Sequence, residues 1–450
     1  MLKTLVNAWK IADLRKKLLF TALIVLIFRI GSAIPVPFTD IGESGIISDA
    51  NGTTFMNYLT MMTGEAFNYG TIFAMSITPY INSSIIMQLL AVAIPALERL
   101  QKEGEEGRKK IASITRYVTI ALGLLQSTAY YFYLRSGGFL LKNPETNANY
   151  DGFAGVFQAL VIILCFTAGT ALIMWLGEQI NDKGIGNGIS IILFAGIVSR
   201  IPSLITNLIS YLNYRQLYKA YYVLVPVVFI ILVLMIAFIV WMDNAERKVP
   251  VQYAKRVVGR KMYGGQSTHI PIKVNMSGVM PVIFASSILS LPPTIQMFIS
   301  LDADSKWNGF FNLFNQTHWA YTIIYFVFII AFAYFYASIQ YNPIEMSKNI
   351  RDNGGSIPGI RPGEPTSRYI GKIINRIVLL GALLLSVVAL FPIIFSQITT
   401  FALEKLANCP YGMNISLGGT SIIILVGVAL ETVKQLESQM MMRHYKGFLD

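Results

Sequence analysis

Apolar windows of about twenty residues recur along this chain from end to end, and nothing else in the sequence limits its folds so tightly. A hydrocarbon layer about 30 Å thick is crossed by roughly 20 apolar residues in a helix. The helical form is required because no water is present to satisfy the backbone amides. Ten windows qualify: residues 18–36, 71–97, 111–134, 153–177, 188–208, 220–242, 272–299, 319–341, 373–396 and 415–433. The cleanest, AYYVLVPVVFIILVLMIAFIVWM, holds no charged residue. The second and seventh are the weakest, being interrupted by Pro, Ser, Asn and Gln. Charged residues make up 13% of the chain, against about 25% in soluble domains, which excludes a soluble multidomain protein. The expectation is an all-α polytopic membrane protein of about ten transmembrane helices.

A net charge of +12 raises the question of nucleic acid, but the distribution answers differently. Of the 36 Lys and Arg, 26 fall in the amino terminus, the even-numbered loops and the carboxyl tail, and 7 in the odd-numbered loops. By the positive-inside rule both termini are cytoplasmic. Five spans on each side of the midpoint then make two halves, 1–210 and 211–450, of inverted orientation. This rests on parity, since the halves share no convincing sequence similarity. The basic start followed by an apolar stretch reads as an uncleaved first span.

Catalytic and metal signals are weak. His269, His318 and His444 are scattered without ligand spacing, and Cys165 and Cys409 make no disulfide framework. The run GIGNG (Gly184 to Gly188) lacks the Lys-Ser/Thr of a phosphate loop and reads as a tight turn opening the fifth span. No enzyme and no cofactor are expected. Arg29, inside the first span, costs about 2.5–3.5 kcal/mol in lipid, so it pairs within the bundle or reaches outward; the sequence names no partner for it.

Two loops are too long to be connectors. Residues 243–272, with Lys273 just beyond, carry seven basic residues and alternate apolar with basic around VPVQYAKRVV, which predicts a strand or hairpin. Residues 342–372 are rich in Gly and Pro and hold Arg361 between them. Such loops serve either as topology determinants that contact anionic lipids or as docking sites for a cytoplasmic partner. A further segment, 53–64 (TTFMNYLTMMTG), is too short to span and reads as an interfacial helix or a re-entrant plug. In span two, Ile77, Ile81, Ser84 and Gln88 lie within about 60° of one another on a helix. One stripe is therefore aliphatic at one end and polar at the other. In span seven, Asn275 stands near the start and Pro281 interrupts the helix. Polar groups in hydrocarbon seek partners, so the Gln88 and Asn275 amides are suited to closing two helices together.

The strings FAMSITPYINSSIIMQLL, KEGEEGRKKI, MWLGEQINDKGIGNGISI, QSTHIPIKVNMSGVMPVIFASSI and GIRPGEPT resemble, in order and over essentially the whole chain, the SecY/Sec61-alpha family of protein-conducting channels. The resemblance implies an hourglass pore narrowed by an aliphatic ring, here Ile77, Ile81, Ile189, Leu193, Ile283 and Ile424. It implies a lateral gate between spans two and seven at Ser84, Gln88 and Asn275. It favours the plug reading of 53–64, with Thr54, Phe55, Met56, Tyr58, Leu59 and Met62 seated against the ring. It implies motor and ribosome docking at Arg260, Lys261 and Arg361. The partners implied are SecE and SecG subunits, a SecA ATPase, the ribosome, signal sequences and unfolded secretory or membrane proteins. No nucleic acid is implied beyond ribosomal RNA contact. The location implied is the bacterial cytoplasmic membrane. The competing reading is a secondary transporter of small solutes, which would place ionisable groups near the midplane.

Overall fold

The structure, a computed structural model, describes residues 2–41, 45–46, 60, 63–142, 150, 152–213, 221–253, 256–258, 261–263, 267–298, 309–311, 313–314, 318–407 and 418–446. The first part of the chain forms α1 (Leu2–Lys10), α2 (Ala12–Gly31), α3 (Thr78–Ala93), α4 (Pro95–Lys102), α5 (Glu105–Ser136), α6 (Gly152–Lys183), α7 (Gly188–Val198) and α8 (Ile201–Asn213). The second part forms α9 (Tyr221–Asn244), strands β1 (Glu246–Tyr253), β2 (Arg256–Val258), β3 (Lys261–Tyr263) and β4 (Ser267–Lys273), then α10 (Met280–Leu289) and α11 (Leu291–Phe298). After these come α12 (Trp319–Gln340), α13 (Pro343–Asp352), β5 (Gly355–Ser356), α14 (Glu364–Ala407) and α15 (Gly419–Lys446).

The chain is mostly helical, and every apolar window overlaps a helix or a consecutive pair, although the second opens on turns and the seventh on β4 and a bend. Among the described residues, six helical segments are long and apolar enough to cross a membrane, and α3 with α4 makes a seventh if the pair is counted as one span. That pair bends by 107° at a break. The cause is local: Pro95 forces Ile94 into extended backbone (φ −109°, ψ 113°) and then opens α4. In α2 the apolar stretch is flanked by Asp13, Arg15, Lys16, Lys17 and Arg29, which dilutes its hydropathy.

Three of the apolar clusters among the described residues pack these helices together. One lies within the first part, where Phe67, Tyr130, Leu134, Ile162 and Phe166 pack between α5, α6 and the turns before α3. A second lies within the second part, among α9, α10, α12, α14 and α15. The third joins the two parts: α2, α3, α6 and α7 meet α10 and α15 there.

The expected hairpin is present. β1 pairs antiparallel with β4 from Glu246↔Lys273 to Gln252↔Ser267, and β2 pairs with β3. The second long loop joins the same sheet, because β5 pairs with the end of β1 at Gln252↔Ser356 and Tyr253↔Gly355. Val249, Val251 and Ile272 on one sheet face, with Ile350 and Ile357, cover the bases of α12 and α14. Two loops about a hundred residues apart are thus one folded unit.

The turn between α6 and α7 matches the reading of GIGNG. Asn187 caps α7 by accepting from the Ile189 amide at 3.2 Å, and Asn181 accepts from the Gly188 amide at 2.7 Å. A β-carbon on Gly188 would stand 1.9 Å from the Gly177 carbonyl oxygen, so only glycine lets the two helices meet there.

Candidate functional site

The six ring positions come from four helices, and the structure gathers them into the single core that joins the two parts of the chain. Ile77, Leu193, Ile283 and Ile424 are buried members of this cluster, and Ile81 and Ile189 pack against it half-buried. Ile77 caps α3 and its carbonyl accepts from the Ile81 amide. One turn therefore still separates the pair, although Ile77 lies just outside the helix. Ile189 and Leu193 are one turn apart on α7; Ile283 sits in α10 and Ile424 in α15. With Ile77 and Ile424 each only 1% exposed, these side chains belong to one tightly packed apolar cluster. Their neighbours Ile24, Phe28, Phe73, Ile173, Ile197 and Val428 are apolar too.

No hydrogen bond joins Asn275 to Ser84 or Gln88. Gln88 Nε2 donates to Ser84 Oγ at 3.2 Å within α3. Asn275 lies in the bend between β4 and α10, before the helix. Pro281 does not interrupt a helix; it occupies the first turn of α10, where its missing N–H costs nothing. The Asn275 amide donates to Asp243 Oδ1 at 3.5 Å, and Asn275 Oδ1 is buried without a partner among the described residues. Contacts between the two parts of the chain include α3 with α10 and α5 with α11.

The plug positions Thr54, Phe55, Met56, Tyr58, Leu59 and Met62 lie outside the described residues. So does Arg260. Lys261 opens β3. Arg361 is exposed in the turn ahead of α14, and its carbonyl accepts from Thr366 Oγ1 at 2.9 Å. Arg361 stands five residues after β5, which is paired with β1.

With this geometry in view, the comparisons with known proteins are decisive. The SecY family model matches residues 71–433. The chain belongs to the SecY family. Protein translocase subunit SecY of Streptomyces scabiei is 43% identical to it over 453 residues, covering the whole of both chains. Protein translocase subunit SecY of Halalkalibacterium halodurans is 43% identical over 460 residues, again over the full length of both. Among solved structures, a protein-conducting channel superposes with a TM-score of 0.58 at 16% identity, covering 94% of this chain and 92% of that one. The idle yeast Ssh1 complex bound to the 80S ribosome gives 0.58 at 14% identity, over 93% and 89%. At these identities the solved structures speak for the fold alone.

Within this SecY-family chain, sequence reasoning passed over several charged residues that the structure makes prominent. Asp243 ends α9, accepts from Asn275 and pairs with Lys434 of α15. Arg116 of α5 meets Glu178 of α6 at 2.7 Å. Arg200, at the junction of α7 and α8, meets Glu65 at 3.6 Å. The available signal was position: all but Glu65 lie in or at the edge of an apolar window, where an ionisable group needs a partner. Arg29, left without a partner by the sequence, donates to the Gly64 carbonyl at 3.5 Å. No metal-holding cluster occurs among the described residues.

Proposed function

We propose that this chain is the pore subunit of a bacterial protein translocase. It passes unfolded secretory proteins across the cytoplasmic membrane and releases signal sequences and membrane segments sideways into lipid. The observation that carries the reading is the collar: six aliphatic side chains, drawn from helices on both sides of the chain's midpoint, meet in one apolar cluster. A narrow aliphatic constriction excludes ions by dewetting, yet its side chains yield to a sliding peptide. A secondary transporter would set ionisable or coordinating groups at that depth, whereas the six collar positions themselves are all aliphatic. The finer architecture belongs to the same proposal: ten spans in two inverted halves, 1–210 and 211–450, with both termini cytoplasmic and residues 53–64 as an outer plug.

Partners follow from the folded sheet. A three-stranded unit is more than membrane topology needs, and it presents Arg361 to solvent. We assign it to docking of a SecA ATPase and the ribosome, with SecE and SecG as companion subunits and anionic lipid around the basic loops. The test is a stalled secretory precursor carrying a photoreactive or thiol probe, with cysteines placed at Ile81, Ile189 and Ile283. Crosslinks at these positions, and none at the lipid-facing Phe229 and Leu234 of α9, support the pore. Absence of collar crosslinks, together with ion-coupled uptake of a small solute, would replace it with the transporter.

A further inference from the structure

The chain just before the second span is held against the far end of the collar by charge. Gly64 and Glu65 adopt successive left-handed conformations (φ 63° and 73°), and for glutamate that backbone is unusual. The Glu65 amide donates to the Thr60 carbonyl at 3.1 Å, and the Phe67 amide to Thr63 Oγ1 at 3.2 Å. These bonds turn the Glu65 side chain toward the α7–α8 junction. There its Oε1 accepts from Ser203 Oγ at 2.8 Å and lies 3.6 Å from Arg200 Nε. The Arg200 side chain is only 17% exposed, and its Nη1 is buried without a hydrogen-bond partner among the described residues. An arginine so placed depends on Glu65 as its counter-charge. The backbone fits as closely as the charges. A β-carbon on Gly64 would stand 2.9 Å from the Gly196 carbonyl oxygen and 2.7 Å from Ser199 Oγ. Gly196 lies one helical turn beyond Leu193 of the collar on α7. Arg29 reaches the same spot from α2, on the Gly64 carbonyl.

We infer that Glu65 and Arg200 are positioning residues which latch the chain ahead of span two onto α7 and so hold the collar shut. Leu193 cannot move outward with α7 without carrying Gly196 and Arg200 away from Gly64 and Glu65. Opening of the collar therefore breaks a pair whose partners are poorly hydrated, and the pair biases the channel toward its closed state. The inference rests on the proposed pore reading of the collar, and the experiment separates the two.

The full translocase complex carrying Glu65→Gln, Arg200→Gln, both together, or Arg200→Lys is reconstituted in planar bilayers at matched levels, with Ile81→Ser as the collar control. Resting ion conductance is read, together with export of precursors with weakened signal sequences. Each single neutral variant is expected to raise conductance about threefold or more and to relax the signal requirement. The double variant should rise no further than the larger single, because one interaction is lost in all three. Arg200→Lys should stay near the parent. Single variants that conduct like the parent while Ile81→Ser conducts more would overturn the latch and leave the pore standing. Additive single effects would also overturn it, showing that the residues act separately. If Ile81→Ser also conducts like the parent, the collar reading fails and the latch with it.

Discussion

Lys434 Nζ, on the last helix, lies 3.0 Å from Oδ2 of Asp243 at the end of α9. The other oxygen of the same carboxylate accepts from Asn275, in the bend ahead of α10. One carboxylate thus ties together three elements of the second part of the chain, and Asn275 is engaged on that side of the proposed gate. Its amide is not shared with Gln88 of α3, which donates to Ser84 instead. Replacing Lys434 by Met leaves Asp243 partly buried with a single weak donor. A hydrogen bond to a charged group contributes about 1.5–3 kcal/mol and a surface ion pair up to about 1. The half-exposed position of Lys434 places the expected loss near 1 kcal/mol. A lowered thermal-unfolding midpoint in detergent, with insertion unchanged, is the expected result.

The separate engagements of Gln88 and Asn275 make their substitutions distinguishable. Asn275→Leu removes a donor from Asp243 and loosens the entry to α10, whereas Gln88→Leu only dries a stripe on α3. An interhelical hydrogen bond in a membrane averages about 0.6 kcal/mol and rarely exceeds 2. Shifts of roughly three- to thirtyfold between closed and open states follow, since 1.4 kcal/mol is tenfold. Asn275→Leu is expected to change the signal hydrophobicity needed for export more than Gln88→Leu does. The measurement is export of precursors graded in signal hydrophobicity at matched channel levels. Equal thresholds in parent and both variants would make these amides plain packing groups.

Collar residues should tolerate exchange among aliphatics but not polarity. Ile81→Ser with Ile189→Ser is expected to wet the constriction and raise resting conductance, while Ile81→Val with Ile189→Val leaves it at the parent value. The reason is that dewetting needs a narrow apolar surface, and valine preserves it. Conductance across planar bilayers distinguishes the two pairs.

Charge reversal on the sheet unit should separate docking from assembly. Arg361 is exposed, so Arg361→Glu removes no buried contact and should leave insertion and thermal stability unaltered. The paired change Arg260→Glu with Lys261→Glu reverses charge on the hairpin. Both are expected to weaken binding of the motor ATPase and the ribosome. Pull-down affinities equal to the parent for both partners would remove the docking role.

Much of this architecture was legible in the residues, and each legible feature is local. The apolar windows give the helices, because a span must satisfy its own backbone. Alternation around VPVQYAKRVV gives the β1 hairpin, and Asn187 with its glycines gives the turn into α7. Pro95 was visible inside the second window, but the size of the bend it makes, 107°, was not. Pro281 was misread as interrupting a helix whose first turn it occupies, and Asn275, read near the start of the span, lies ahead of the helix. Apolarity runs through 272–299 without marking where β4 hands over to α10.

What only the tertiary structure decided are the meetings of residues far apart in sequence. Nothing in Gly355 or Ser356 announces pairing with Tyr253 and Gln252, because two residues carry no periodicity. Nothing in Glu65 points to Arg200, nor in Asp243 to Lys434. Sequence spacing constrains neighbours within a turn or a strand, where geometry is fixed by the backbone. Partners a hundred residues away are chosen instead by which helices pack together. That choice was made by the shared apolar core in which α3, α7, α10 and α15 bury their aliphatic faces, and the charged pairs formed where that packing brought them.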